Sequence, residues 1–191
     1  GAENYEARGL RCIRDFWSWN AYMLEAPGVM RKENHYNIPK AKIITALGMF
    51  YDLDDPNAFI GDIAKTLHKD GVFIAQLMCL KNMINTCDIG NICHEHLEYY
   101  TLKSLEVLFR KNGLAIFDIE KVPVNGESYR LFVCHADQYR RKTTSEALER
   151  VEHAFLDETN IMRDTLKFFA DMEENRLAVR EFVFKSVQDS K

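Results

Sequence analysis

The stretch N-I-C-H-E-H-L-E-Y-Y, from Asn91 to Tyr100, gathers two imidazoles, two carboxylates, a thiol and two phenols. Histidine titrates near neutrality, so it can take up or release a proton at physiological pH. A carboxylate beside it can orient the ring and stabilise the imidazolium. Phenols can hydrogen-bond a polar substrate or an oxygen that gains charge during a reaction. Acid–base chemistry is thus one use of His94, Glu95, His96, Tyr99 and Tyr100. A second is metal binding, since Cys93, His94 and His96, with Cys87 or His135, carry the right donor atoms. Those donors are crowded and lack the spacing of a zinc site, so no metal is expected. A third is plain hydrogen bonding at the surface. If the segment is extended, His94 and His96 share one side and Glu95 faces the other, unless a turn intervenes.

Alternating strands and helices must position this segment. A-K-I-I-T-A-L-G-M-F, residues 41–50, is a β-branched and apolar run that predicts a strand buried on both faces. A helix follows, with Asp55 as N-cap, Pro56 at its first position and Phe59, Ile60, Ile63 and Leu67 on one face. G-V-F-I-A-Q-L-M, residues 71–78, is the next buried strand. After the His-Glu-His segment a helix starts near Thr101, lined by Leu102, Leu105, Leu108 and Phe109, with Gly113 just past its end. L-A-I-F-D-I-E and S-Y-R-L-F-V-C-H predict two strands, and the short turn from Pro123 to Glu127 makes them an antiparallel hairpin. Upstream, Leu10 to Ile13 reads as a short strand, followed by Asp15 and the aromatic group Phe16, Trp17 and Trp19. Residues 20–40 read as a loop with at most one helical turn. From Lys142 onward, Leu148, Val151, Phe155, Ile161, Leu166, Phe169 and Leu177 are spaced for one or two long amphipathic helices. An α/β unit over residues 1–140 and a helical extension over 141–191 are expected.

The order of elements argues for a doubly wound α/β architecture, a parallel sheet with helices on both faces. Ligands of such sheets sit beyond the carboxyl ends of the strands. Asp15, the Met49–Asp55 loop and residues 76–96 should then converge on one rim. The chain has 191 residues, 47% hydrophobic and 28% charged, with a net charge of −4 and a pI near 5.9. Its basic residues are dispersed, so neither nucleic acid nor a membrane surface is expected as partner. Five cysteines without a C-x-x-C pair read as free thiols, and a cytoplasmic location is expected. The chain opens on Gly-Ala, which is not expected to be a native start.

I-T-A-L-G-M-F-Y-D-L-D-D-P-N-A-F-I-G-D-I-A-K-T-L-H-K-D-G-V-F-I-A-Q-L-M resembles the fourth strand, helix and fifth strand of a class I S-adenosylmethionine-dependent methyltransferase. The stretch from Asn91 to His135 is similar to the sugar C-methyltransferases that act on nucleotide-linked keto-sugars. Those enzymes carry His-Glu-His before an aromatic-rich helix start, then an Asn-Gly-x-Ser turn into the last strand. The likeness runs from about Leu10 to His135, and its ungapped spacing makes it far more specific than any one motif.

The resemblance implies C-methylation through an enolate, with His96 as base, Glu95 as its supporting partner and His94 nearby for substrate. It places Tyr99, Tyr100, Asn125 and Ser128 at the substrate. Asp15, Met49 and Tyr51 would face the cofactor S-adenosylmethionine, Asp15 through the adenine amino group; a simple turn cap is an equal reading of Asp15. Two departures stand out. Cys93 occupies a place where some members have tyrosine, and Glu127 replaces a glycine of the turn. The fold implied is a Rossmann-like methyltransferase sheet lacking its first two strands, with an antiparallel closing hairpin and long C-terminal helices. The Gly-rich loop after the first strand and the ribose-binding acid after the second are not found in this sequence. An apolar sheet edge is therefore expected, completed by a missing N-terminal segment or by a second copy. Two function classes stay open: the catalytic part of a methyltransferase for a small keto substrate, and a methyltransferase-like binding module without chemistry.

Overall fold

The computed structural model describes residues 7–25, 30–32, 35–124 and 126–189. In chain order the elements are α1 (Trp19–Glu25), β1 (Met30–Lys32), β2 (His35–Asn37), β3 (Ala41–Leu47), α2 (Pro56–Thr66), β4 (Leu67–Leu77), α3 (Leu80–Thr86), α4 (Leu102–Lys111), β5 (Leu114–Val122), β6 (Ser128–His135), α5 (Tyr139–Lys142), α6 (Ser145–Asp157) and α7 (Ile161–Asp189). The main sheet has the order β3-β4-β6-β5. β3 and β4 are parallel, as a strand–helix–strand crossover requires. β6 enters antiparallel between β4 and β5. This is the open α/β sheet with an antiparallel closing hairpin that the sequence implies.

The helix signals hold at residue level. The Asp55 side chain accepts from the Ala58 backbone N–H at 2.9 Å, and Pro56 opens α2. Thr101 and Ser104 form a reciprocal cap at the start of α4. Gly113, at φ +71°, ends α4 in the left-handed region that favours glycine. Ile60, Ile63, Leu102, Leu105 and Phe109 are buried against Phe73, Ala75 and Leu77 of β4 in one core. Ala154 of α6 and Phe168 of α7 join the same core.

Five readings of the sequence are corrected. Residues 10–14 form no strand, and the apolar Leu10 is exposed rather than built into a sheet. Within residues 20–40 the structure contains α1 and the small antiparallel pair β1–β2. β3 is buried on one face only: Ile44 and Ala46 point inward, while Ile43 and Leu47 are 66% and 56% exposed. The helices that feed the core all pack on that inner face, not on both. In α7 the buried residue is Phe168, whereas Leu166, Phe169 and Leu177 face outward. Among the described residues β3 has β4 as its sole strand neighbour, so it forms an open edge.

The elbow between α6 and α7 carries an unusual carboxylate. Glu158 is buried, and one oxygen accepts from the Leu102 backbone N–H at 2.8 Å, at the first turn of α4. Its other oxygen has no protein partner. Burial pushes this carboxyl up to about 7, against about 4.3 in an unfolded chain. The folded state therefore holds the proton longer, so stability from this site is present below pH ~4 and lost as pH rises to about 7. Glu158→Gln should remove that loss and leave the variant about 1–3 kcal/mol more stable than the parent at pH 8, with the gap closing toward pH 4. Urea unfolding across this pH range is the measurement.

Candidate active site at the sheet rim

Three loops meet beyond the carboxyl ends of β3 and β4. The first begins at Gly48, whose φ of +66° turns the chain out of β3 while its N–H donates to the Gln76 carbonyl at 2.9 Å. Met49 follows, half-buried against the core, and then the 3-10 turn Phe50–Asp52, in which Phe50 and Tyr51 are buried. The second loop runs from the end of α3 to Thr101. Cys87 ends α3 at φ +50°, and Asp88 caps the short 3-10 turn Ile89–Asn91. The third is the hairpin turn between β5 and β6. The pairing of Leu77 with Tyr129 and of Gln76 with Arg130 sets that turn at the same rim.

Backbone bonds fasten the second loop onto the first. The Tyr51 carbonyl accepts from the N–H groups of Leu97 and Glu98 at 2.9 and 3.1 Å. Leu80 N–H donates to the Tyr100 carbonyl at 2.7 Å. The His96 ring then lies 4.4 Å from the Tyr51 ring, centroid to centroid. His96 Nδ1 is 2.9 Å from the Asn91 carbonyl oxygen, and the Tyr99 hydroxyl donates to the same oxygen at 3.2 Å. A carbonyl oxygen can only accept, so in the neutral ring Nδ1 carries the hydrogen and Nε2 the lone pair. The arrangement presents a base at a defined atom.

A turn does intervene in the His-Glu-His segment: His96 N–H donates to the Cys93 carbonyl at 3.3 Å. His94 and Glu95 occupy the tip of this turn, with side chains 91% and 73% exposed and 3.9 Å apart. The structure brings neither onto the His96 ring; the Asn91 carbonyl holds the place expected for Glu95. Tyr100 is buried in the core 5.3 Å from the Phe50 ring, and burial pushes its phenol up. Ser128 is buried too, its hydroxyl spent on the Val124 carbonyl at 2.8 Å. Asn125 lies outside the described residues. Asp15 accepts from the next backbone N–H, of Phe16, at 2.8 Å, while the helix that follows is capped by Ser18, whose hydroxyl accepts from the Ala21 N–H at 3.0 Å. It also borders a cavity of about 160 Å³ with Ile13, Ser18 and Tyr22. A groove of about 760 Å³ lies elsewhere, between β5 and α6, lined by residues such as Lys121, Arg150 and His153.

Reasoning from sequence missed Asp88, Asn91 and Gly126. Asp88 Oδ1 accepts from Gly90 N–H at 3.1 Å and Oδ2 from the Asn91 side chain at 2.5 Å. A Cβ at Gly126 would stand 2.7 Å from Asp88 Oδ2, so the hairpin turn closes directly on this carboxylate. The D-x-G-N order does signal a local turn. The contact with Gly126 is long-range and leaves no such trace. Among the described residues no group of three or more His, Cys, Asp or Glu side chains is placed to hold a metal, and no helix is long and apolar enough to cross a membrane.

Because the Tyr100 hydroxyl is buried without a hydrogen-bond partner, Tyr100→Phe should be neutral or stabilising by up to about 1 kcal/mol. Urea unfolding reads this directly; a loss beyond that range would return the hydroxyl to a functional role.

A family model described as a methyltransferase domain matches residues 6–119. The C-methyltransferase NovU of Streptomyces niveus is 28% identical over 153 residues, covering 79% of this chain and 36% of that protein. The chain thus spans about a third of the length of the curated relative it matches. Among solved structures, LaPhzM superposes over 70% of this chain and 38% of its own with a TM-score of 0.46 at 12% identity. The mitomycin 7-O-methyltransferase MmcR covers 52% and is covered over 31%, with a TM-score of 0.41 at 14% identity. With the family model covering more than half of its length, the chain belongs to the methyltransferase domain family.

Proposed function

We propose that this chain is the catalytic part of an S-adenosylmethionine-dependent C-methyltransferase whose substrate is a nucleotide-linked keto-sugar or a similar small ketone. The observation that carries the reading is the His96 ring, held by the Asn91 carbonyl so that Nε2 is the basic atom. The relative named as a C-methyltransferase supports carbon, rather than oxygen or nitrogen, as the methylated atom. Methylating carbon requires a base, because a C–H group next to a ketone must lose its proton before the carbon becomes nucleophilic.

In this mechanism His96 Nε2 takes the proton, and the electron pair of the C–H bond moves toward the ketone oxygen. Nδ1–H stays on the Asn91 carbonyl, so the ring can become imidazolium without rotating. The Tyr99 hydroxyl already donates to that carbonyl. Its free lone pairs suit it to accept from a sugar hydroxyl, not to donate to the enolate oxygen. His94 and Glu95, at the exposed tip of the turn, can reach a bulky substrate from outside but do not orient the base. Ser128 and Tyr100 support the walls from within.

The groups that would face S-adenosylmethionine from this chain are Asp15, Met49 and Tyr51. When bound, the cofactor supplies an electrophilic methyl group on a sulfonium. Gly48 lets the backbone turn tightly at the rim, with the Tyr51 hydroxyl 3.8 Å from where a Gly48 Cβ would stand. Asp15 offers an exposed carboxylate for an amino group.

Calorimetric titration of the chain with S-adenosylhomocysteine tests the cofactor half of this reading. Micromolar binding would mean that the cofactor site is completed, for instance by a second copy, and a folded sample with no affinity would make the chain a fragment of the site or a non-binding module. In the whole protein, His96→Ala should lower methyl transfer by about 10²–10⁴-fold with cofactor affinity unchanged. Near-parental turnover in that variant would place the base elsewhere.

A further inference from the structure

We infer that Asp88 is the positioning residue of this site: through Asn91 it fixes which nitrogen of His96 is the base, and through Gly126 it ties that setting to the β5–β6 hairpin turn. The catalytic meaning rests on the proposed role of His96; the geometric chain does not. Asp88 makes two bonds to adjacent residues of one short turn. Oδ1 takes the Gly90 N–H and Oδ2 takes the Asn91 side-chain N–H, at 3.1 and 2.5 Å. With the Asn91 side chain held by Asp88, and the Ile92 N–H of the next peptide donating to the Ile89 carbonyl at 3.0 Å, the Asn91 carbonyl that faces His96 has little freedom left. That carbonyl accepts from both His96 Nδ1 and the Tyr99 hydroxyl. One carboxylate therefore directs one acceptor, and that acceptor directs a base and a phenol.

The hairpin meets the same carboxylate from the other side. Gly126 has φ +80°, and a Cβ there would lie 2.7 Å from Asp88 Oδ2 and 3.8 Å from Thr86 Oγ1. The approach leaves room for hydrogen alone. Any shift of the hairpin turn toward α3 must press on Asp88, and hence on Asn91. Asp88 carries no hydrogen in its ionised form, so every bond it makes here is as acceptor, and both donors belong to the turn that sets the base.

The test reads the ring itself and needs no substrate. Nitrogen-15 spectra of the labelled chain report whether the neutral His96 ring bears hydrogen on Nδ1 or Nε2. The parent should read Nδ1–H. Asp88→Ala should shift the ratio of the two forms by about tenfold toward Nε2–H, as loss of one directing hydrogen bond implies, with the amide spectrum of the sheet unchanged. Asp88→Asn retains one of the two acceptor bonds and should fall between the two. Gly126→Ala, which leaves every polar group of the site in place, should move the ring in the same direction as Asp88→Ala. A parent ring with hydrogen on Nε2, or an Asp88→Ala ring unchanged from the parent, overturns the inference. An unchanged ring in Gly126→Ala overturns its link to the hairpin. Should Asp88→Ala fail to fold, Asp88→Asn and Gly126→Ala decide the matter. An inactive whole protein whose ring still follows Asp88 would sink the methyl-transfer reading while leaving this one standing.

Discussion

The insertion of β6 between β4 and β5 is the constraint on which the rest of the molecule turns. Tyr129, Leu131 and Val133 of β6 are fully buried, so this strand supplies the middle of the core as well as the middle of the sheet. A strand with two partners satisfies its backbone on both sides, which a parallel pair such as β3–β4 cannot achieve alone. Being antiparallel to β4, β6 must begin at the end where β4 finishes. The hairpin turn is thereby delivered to the carboxyl rim, where loops from two parallel strands are already gathered. Without β6 there would be no third wall at the rim and nothing for Asp88 to meet.

The site uses this delivery economically. Its cross-links are largely backbone ones: Tyr51 carbonyl to Leu97 and Glu98, Leu80 to Tyr100, Gly48 to Gln76. Backbone groups survive every substitution except one to proline, and they are positioned by secondary structure on either side. The side chains that remain free to act are consequently few, and His96 is among the half-buried ones. Its neighbour Tyr100 shows the opposite outcome. Two adjacent tyrosines at a helix start look equivalent in sequence, but only one can point outward once Tyr100 packs on Phe50.

What the sequence made legible was periodic or local. The caps at Asp55 and Thr101, the glycine at 113 and the hairpin turn are each specified within a few residues, and each appears where those residues put it. β3 was misjudged because a run such as Ile43-Ile44-Thr45-Ala46-Leu47 is apolar on both sides whether or not anything covers both sides. Apolar composition records what a strand is suited to pack against; it does not record what packs there. For the site, the resemblance pointed to a segment but not to its geometry. Glu95 is next to His96 in sequence, and the turn at Cys93 separates them in space. The partner that took its place is a main-chain carbonyl, a group every residue possesses, so no residue type could announce it.

That substitution of a carbonyl for a carboxylate has a chemical consequence. A carboxylate beside a histidine does two things at once: it selects the tautomer and it adds a negative charge that favours the imidazolium. The Asn91 carbonyl does the first with only a dipole. Selection of the tautomer and stabilisation of the charge are therefore separated in this site. The full charge of Asp88 lies one residue-pair away, spent on Gly90 and Asn91. A ring held in this way keeps its Nε2 lone pair in one direction. For the proton transfer from carbon proposed at this site, the orientation of that lone pair is the effect that the Asn91 carbonyl supplies.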